Sequence, residues 1–504
     1  MDLVLHAASQ LPSDFTVRIH GDGPLRSRLE ALAAAYGIQD QVRFESATEP
    51  MSTGTCIYPS RYNATTAPIR PGAAGGASLI VDDQDQQLSF ENRGPPGPEQ
   101  AAPGTKLVGT MAELLCELSS AGDGPAPVRT DARTLEGHRV GIVTNYPTHY
   151  RVPLFNLLSD RLSGVGVPLR VFFTDATPTT ARKWMRPEPL RFEHDFFRAV
   201  PVPRAATDLP LDLRRSLRRF RPTLVIAAGF SPLASARVAR WASRRRVGFG
   251  VWSGETPSTS ASRSGLRRFQ RRQVTRRASF AIAYGFLGGE YLRTLSADLP
   301  FVYGRNTTPF PDAATQSSRD MVEVLAVSRA VPRKGLDVLI DAFSSLDDLP
   351  CRLTVAGDGP ALTDLKSRVA DDKRVRFLGA VPSDQIGELF RNADVFAFPT
   401  RMDPFGLVMV EAFAAGLAVA VSAAPGVVAD LGVDGRTCLI VENHTPTEWA
   451  AALRRLVEDR PLRRTLGEAA RAAVASRWSM EHAADAMIAG LRLGAMQPVR
   501  SERR

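Results

Sequence analysis

Short apolar runs alternate with amphipathic stretches from residue 138 onward. β-Branched and aromatic runs at Val140–Thr144, Leu169–Thr174, Thr223–Gly229, Val247–Trp252 and Phe280–Tyr284 predict buried strands. Val152–Leu162 and Leu233–Arg245, lying between them, predict helices. After a linker-like stretch, Pro309 to Asp320, a second series follows at Val322–Val327, Arg352–Ala356, Val375–Leu378, Val395–Phe398, Leu417–Val421 and Cys438–Val441. Strand–helix alternation with continuously apolar strands means parallel sheets covered on both faces. The expected class is α/β: two doubly wound domains, 138–313 and 320–475. A C-terminal helix at 476–495, crossing back to the first domain, and a tail at 496–504 complete the plan. Tandem domains of this kind open a cleft where the carboxyl ends of both sheets face each other.

Before residue 138 the pattern weakens. Asn92–Thr105 and Ser119–Gly137 are rich in Gly, Pro and Ala, carry no period and read as linkers. The first 120 residues also repeat part of the C-terminal domain. Phe15–Pro24 (FTVRIHGDGP) answers to Cys351–Pro360 (CRLTVAGDGP), and QVRF at Gln41–Phe44 answers to RVRF at Arg374–Phe377. Pro59–Asp83 aligns without a gap on Pro399–Ala423. Residues 1–120 are therefore expected to be a partial, degenerate copy, joined by a linker at 121–137. The copy lacks a first strand, which predicts a sheet that is incomplete or patched by a partner. It carries Asn63 where the C-terminal domain has Asp403, and Pro71 where that domain has Glu411. Its Asp83-Gln84-Asp85 has the spacing of a metal-binding acidic pair, but the Gln-rich surroundings read as a solvated loop.

Composition adds little until charge is mapped. A chain of 504 residues, 44% hydrophobic and 23% charged, is an ordinary globular protein that needs no disulfide or metal staple. The four cysteines are far apart and show no CxxC spacing, so neither a disulfide framework nor a zinc finger is expected. No leader-like N-terminus and no apolar run of about 18 residues is present, so no signal peptide or membrane span is expected. The net charge of +10 is concentrated. Residues 211–277 hold 17 arginines, no lysine and two acidic residues, a local +15. Leu213, Leu217 and Phe220 stand at helical spacing among the first arginines, which predicts basic amphipathic helices lying on an anionic membrane surface. The competing reading is a solvated arginine-rich surface. No nucleic-acid motif accompanies the cluster, and nucleic acid is not expected as a partner. The location expected is cytoplasmic, peripheral on the inner face of the plasma membrane.

The C-terminal domain carries the chemistry. Its first strand, Val322–Val327, runs into Ser328-Arg329, then Pro332-Arg333-Lys334-Gly335 and a helix from Leu336. A strand–loop–helix with two cations in the loop suits a diphosphate: Arg329 offers a bidentate fork, Lys334 a point charge, and the helix its N-terminal N–H groups, with a solvated loop carrying two surface cations as the competing reading. The strand Val395–Phe398 leads into Asp403-Pro404-Phe405-Gly406-Leu407-Val408-Met409-Val410-Glu411. Pro404 suits a first helical turn, and Phe405-Gly406 lets backbone approach a ligand closely. Asp403 and Glu411 are two acceptors for the hydroxyls of a polyol, with an N-cap as the competing role for Asp403. Glu411 stands among Val408, Val410, Ala412 and Phe413, where a carboxylate needs a partner.

Together Arg329-x4-Lys334-Gly335, Gly357-Asp358-Gly359-Pro360, Phe377-Leu378-Gly379, Asn392-Ala393-Asp394-Val395, Pro399-Thr400, and Asp403–Glu411 with Gly416 resemble glycosyltransferase family 4. The resemblance spans 138–495 and is dense over 322–442. It implies the GT-B fold of two Rossmann-like domains facing a cleft. It also implies transfer of a sugar, with retained configuration, from a nucleoside-diphosphate donor to a glycan, lipid-linked or small-molecule acceptor, without metal or cofactor. The family's E-x7-E appears here as D-x7-E. By that resemblance Arg329, Lys334 and Asp403 are the catalytic candidates: the two cations hold the diphosphate and Asp403 accepts from donor-sugar hydroxyls. N–H groups of Phe405, Gly406 and Leu407 contact sugar or phosphate, Glu411 binds the ribose, and Gly379 and Val381 flank the base. On the acceptor side Asn145–Pro153 replaces the family's glycine-rich loop, and His149 and Arg151 are candidates together with Tyr150, Arg182-Lys183-Trp184 and Glu255. The competing class is a catalytically inactive, transferase-like binding or scaffold protein. A nucleotide-sugar epimerase would need further acid/base residues that the sequence does not supply.

Overall fold

Apolar runs with no polar alternation can pair only where both faces are covered, and the computed structural model places them so. It describes residues 130–174, 187–197, 199–202, 207–210, 212–231, 233–259, 265–314, 321–369 and 372–499, together with Leu5 and residues 16–20, 26–45, 55–59, 64–66, 78–82 and 106–108. Arg182, Lys183, Trp184, Asn63, Pro71 and the Asp83–Asp85 motif lie outside the described residues.

The N-terminal segment comprises β1 (Thr16–His20), α1 (Arg26–Tyr36), β2 (Val42–Glu45), β3 (Thr55–Pro59), β4 (Ala64–Thr66), β5 (Ser78–Asp82) and β6 (Lys106–Val108). Its strand order is β2-β1-β5-β3-β4-β6, with β5 parallel to both β1 and β3.

A second sheet begins with β7 (Val140–Thr144), α2 (Arg151–Ser163), β8 (Leu169–Phe173), β9 (Glu193–Phe196), β10 (Ala199–Val202) and β11 (Thr207–Pro210). It continues through α3 (Leu213–Phe220), β12 (Leu224–Ala228), α4 (Ala234–Arg245), β13 (Gly248–Ser253), α5 (Gly265–Thr275), β14 (Phe280–Ala283), α6 (Phe286–Leu295) and β15 (Phe301–Tyr303). Seven parallel strands run β15-β14-β13-β12-β7-β8-β9, with β10 and β11 as a separate antiparallel pair. The β12 and β13 strands are buried along almost their whole length. β9 was not expected: its EHDF sequence is polar because it lies at the sheet edge, where solvent replaces a covering helix.

The third sheet is built from β16 (Val322–Val327), α7 (Leu336–Ser344), β17 (Cys351–Ala356), α8 (Leu362–Arg368), β18 (Val375–Gly379), α9 (Ile386–Asn392) and β19 (Val395–Phe398). Then follow α10 (Leu407–Ala415), β20 (Ala418–Ser422), α11 (Val428–Leu431), β21 (Leu439–Val441), α12 (Pro446–Glu458), α13 (Arg460–Arg477) and α14 (Met480–Met496). Its order, β18-β17-β16-β19-β20-β21, is parallel throughout and reverses direction between β16 and β19, where Val324 pairs with Val395.

Helix α14 is buried almost all round, as suits an element enclosed on every side. It packs on β14 and β15 and against α2 and α1. Helix α1 is part of the same core: Leu29, Leu32, Ala33 and Tyr36 are buried in it, and the Tyr36 hydroxyl accepts from the Tyr303 N–H at 3.1 Å. The stretch read as a linker also ends in a docked turn, with Leu135 buried and the Thr130 N–H donating to Asp485 at 3.1 Å. The apolar residues of α3 correct the membrane stripe read from sequence. Leu213, Leu217 and Phe220 face the core and only the arginines of that helix face water.

Candidate functional site

The loops after β16 and β19 meet at the carboxyl ends of neighbouring strands, where the sheet order reverses. After β16 the chain makes a single tight turn, Pro332–Lys334, and Gly335 enters α7 at φ +68°. A Cβ there would sit 1.9 Å from the Pro399 carbonyl oxygen, so only glycine lets the two loops touch. The Arg401 N–H donates to the Arg333 carbonyl at 2.8 Å and completes the join. Gly357, at φ +139°, approaches the Ser328 carbonyl as closely, and Ala330 exchanges backbone bonds with Asp358 and Ala361. The GDGP turn thus braces the Arg329 loop from behind. The Gly379 carbonyl accepts from the Gly357 N–H at 2.7 Å, which brings the end of β18, with Val381 just beyond it, beside the same loop.

These contacts bring Lys334 and Asp403 together. The Lys334 ammonium donates to Asp403 Oδ2, and the two side chains are only 10% and 17% exposed. Lys334 Nζ also lies 5.3 Å from the centre of the Phe398 ring. Asp403 Oδ1 accepts from the Phe405 N–H at 3.1 Å. Two expectations change here. The Phe405 N–H, expected to face a ligand, is here engaged by the Asp403 carboxylate. Helix α10 starts at Leu407 behind Gly406 (φ +99°), so Pro404 lies in the loop and not in a first helical turn. Gly406 and Leu407 do open the helix, where N–H groups have no partner within it. Arg329 is exposed, and its guanidinium makes no ion pair among the described residues. One cation is therefore anchored and the other is accessible.

Glu411 lies on α10 among apolar neighbours, and its partner comes from the segment after β15 that leads to the third sheet: the Thr308 hydroxyl donates to Oε1 at 3.2 Å. Burial pushes its carboxyl up to about 7. A second carboxylate, not singled out from sequence, behaves alike. Asp430 on α11 accepts through Oδ1 from the Phe286 N–H that opens α6, at 2.9 Å, and burial pushes it up to about 8. The signal was present: Asp430 stands in the apolar run VVADL, the same argument that marked Glu411.

The acceptor side is assembled at the carboxyl ends of β7, β13 and β14. Arg151 opens α2 and is buried. Its Nη1 donates to Thr144 at 2.6 Å, Nη2 donates to the Tyr284 hydroxyl, and its guanidinium carbon lies 4.9 Å from the Trp252 ring centre. Tyr284 also meets Phe405 edge-on, with ring centres 6.4 Å apart, and Phe405 stacks on Trp478 at 6.3 Å. Arg151, Tyr284, Phe405, Asp403 and Lys334 therefore form one chain of contacts across the cleft. The His149 imidazole packs edge-on against Tyr150, and burial lowers its pKa to about 4, so it is neutral at pH 7. Glu255 is not free to act on an acceptor hydroxyl. Its carboxylate is 2.9 Å from Arg271 and accepts from Thr259 at 2.7 Å.

Comparison with known proteins bears on the family and the fold. Residues 312–473 match the family described as glycosyl transferases group 1. The D-inositol 3-phosphate glycosyltransferase of Corynebacterium aurimucosum is 34% identical over 181 residues, covering 32% of this chain and 43% of that protein. The enzyme of the same name from Stackebrandtia nassauensis is 35% identical over 174 residues, covering 32% and 39%. The chain thus spans about two fifths of the length of the curated relatives it matches. Among solved structures, sucrose-phosphate synthase from Thermosynechococcus elongatus superposes with a TM-score of 0.55 at 18% identity, over 69% of this chain and 96% of that one. Anabaena HepE in complex with UDP-glucose gives 0.54 at 20% identity, over 70% and 98%. The fold is therefore GT-B: two parallel-sheet α/β domains facing a cleft. Among the described residues no helix is long and apolar enough to cross a membrane.

Proposed function

We propose that the chain is a retaining glycosyltransferase that moves a sugar from a nucleoside-diphosphate sugar to an acceptor hydroxyl. The observation that carries this reading is the buried Lys334–Asp403 pair beside the accessible Arg329, at the point where the sheet order reverses. The match of residues 312–473 to a transferase family supports it, as do the relatives' names and the UDP-glucose held by a protein of the same fold. In this reading Arg329 and Lys334 hold the diphosphate and stabilise charge as the sugar–oxygen bond breaks. The acceptor oxygen bonds to the anomeric carbon on the face the leaving group vacates, and its proton passes to the departing phosphate oxygen. Two cations supply what a metal supplies elsewhere, so no cofactor is assigned. Asp403, still able to accept at both oxygens, receives sugar hydroxyls. Glu411 receives the ribose, the segment from Gly379 to Val381 flanks the base, and His149 and Arg151 line the acceptor side. Residues 1–120 are read as a copy without site residues. Cytoplasmic location and peripheral membrane association, in service of polysaccharide biosynthesis, belong to the same proposal.

The test is a thermal-shift screen of nucleotide sugars, because a donor that binds only the folded state raises stability by about 2.7 kcal/mol at a hundredfold excess over Kd. A rise for at least one donor, abolished by R329A/K334A, is expected. No rise for any donor, or an equal rise in the variant, would overturn the assignment.

A further inference from the structure

Helix α5 carries a second apolar stripe that no described residue covers. At 3.6 residues per turn its buried side is Arg271, Val274 and Thr275. Leu266 and Phe269 project from the opposite side, 70% and 59% exposed. Arg272 and Arg276 continue that outward stripe and are exposed as well. The exposed arginines of α3 and α4 sit on helices of the same face of the sheet. Right-handed crossovers put α2, which precedes β8, and α4, which precedes β13 in the other direction, on opposite faces of the sheet. Phe173 of β8 shares Phe192 with Phe155 of α2, whereas the alternate Phe172 packs on Phe220 of α3. Helices α3 and α4 therefore cover one face, and α5 packs beside α4.

We propose that this face docks on an anionic lipid surface, with Leu266 and Phe269 as the side chains that enter the bilayer. The charge selects the partner. Two large apolar side chains ringed by arginines match acyl chains beneath anionic headgroups. A second copy of this chain is a poor match: a stable interface buries about 800 Å² per partner, far more than two side chains offer, and like charges would oppose one another. The position gives the contact a use. Helix α5 is the element that follows β13, whose carboxyl end faces the cleft, and Glu255, just after that strand, is bound to Arg271. Docking through the first turns of α5 brings the membrane to the acceptor rim. The inference rests on the peripheral placement proposed above, but not on sugar transfer itself.

The test is flotation of the full-length protein with phosphatidylcholine vesicles, with and without phosphatidylglycerol. Wild-type protein is expected to float with the anionic vesicles, less as salt rises, and not with phosphatidylcholine alone. L266S/F269S should reduce flotation at least tenfold, because burying one such side chain is worth about a decade or more. Both residues are exposed, so the variant's unfolding midpoint and its donor-induced thermal shift should match wild type. That control separates failure of docking from failure of the transferase reading. Flotation independent of phosphatidylglycerol, undiminished flotation of the variant, or a self-association that the variant abolishes would overturn the proposal.

Discussion

Replacing Asp403 by Leu probes the centre of the site. Removing one partner of a buried ion pair costs about 3–5 kcal/mol, because the other charge is left without compensation. The residual exposure of the pair, 10% and 17%, lowers that cost. The Phe398 face, 5.3 Å from Lys334 Nζ, lowers it again by about 0.5–2 kcal/mol. Loss of the acceptor for the Phe405 N–H restores about 1 kcal/mol. D403L is thus expected to lose about 3 kcal/mol, and K334M about 2, since a stranded carboxyl neutralises by taking up a proton. The double variant K334M/D403L removes both charges. An apolar pair of similar volume is often neutral, so it should be more stable than D403L alone. The assay is urea unfolding of the four proteins, with donor turnover measured on the same samples. Turnover should vanish in all three variants whatever their stability. If the single effects add to the double within about 0.5 kcal/mol, the two groups do not interact in the folded protein and the reasoning fails. If the double variant turns over donor, the pair is not catalytic.

Glu411 and Asp430 give a pH prediction. Both carboxyls are raised in the folded state, to about 7 and about 8, above ordinary values near 4. The folded protein therefore holds their protons more tightly. Their stabilisation is complete below about pH 4 and is lost as pH rises through about 7 and about 8. E411Q and D430N should match wild type near pH 4 and be more stable at pH 9, by at most about 4 kcal/mol for Glu411, in urea unfolding at each pH. L217A, at a fully buried position of α3, should cost about 2–4 kcal/mol by the same measurement and leave vesicle flotation unchanged, because that side chain is core. L32A in α1 should cost about as much, since Leu32 belongs to the core beneath α14. An unchanged midpoint would detach the N-terminal segment from that core.

Much of the fold was legible because it is written locally. Val140–Thr144 and Val395–Phe398 are apolar at consecutive positions, and such runs are stable only as strands covered on both sides. The donor side was legible for a related reason. Arg329, Lys334 and Asp403 follow directly after strands, and parallel strands deliver their following loops to one edge. The edge strand β9 was hidden because polar edges carry no such pattern. The engagement of the Phe405 N–H was hidden because it depends on where a side chain two residues away turns.

By itself the sequence determined the two doubly wound domains, the strand-end loops that carry the candidate site, and the concentration of positive charge in 211–277. Each follows from spacing along the chain, which near neighbours enforce. Tertiary structure alone decided which way the helices face and which groups meet. Leu217 and Phe269 both stand among arginines at helical spacing, yet one is core and the other is open to water. Glu411 needed a partner, and only folding supplied Thr308, about a hundred residues earlier in the chain. Helix α1 precedes the second sheet by about a hundred residues, yet it closes that sheet's core against α14. Burial belongs to a residue's surroundings, and those surroundings are made by segments far away in the chain.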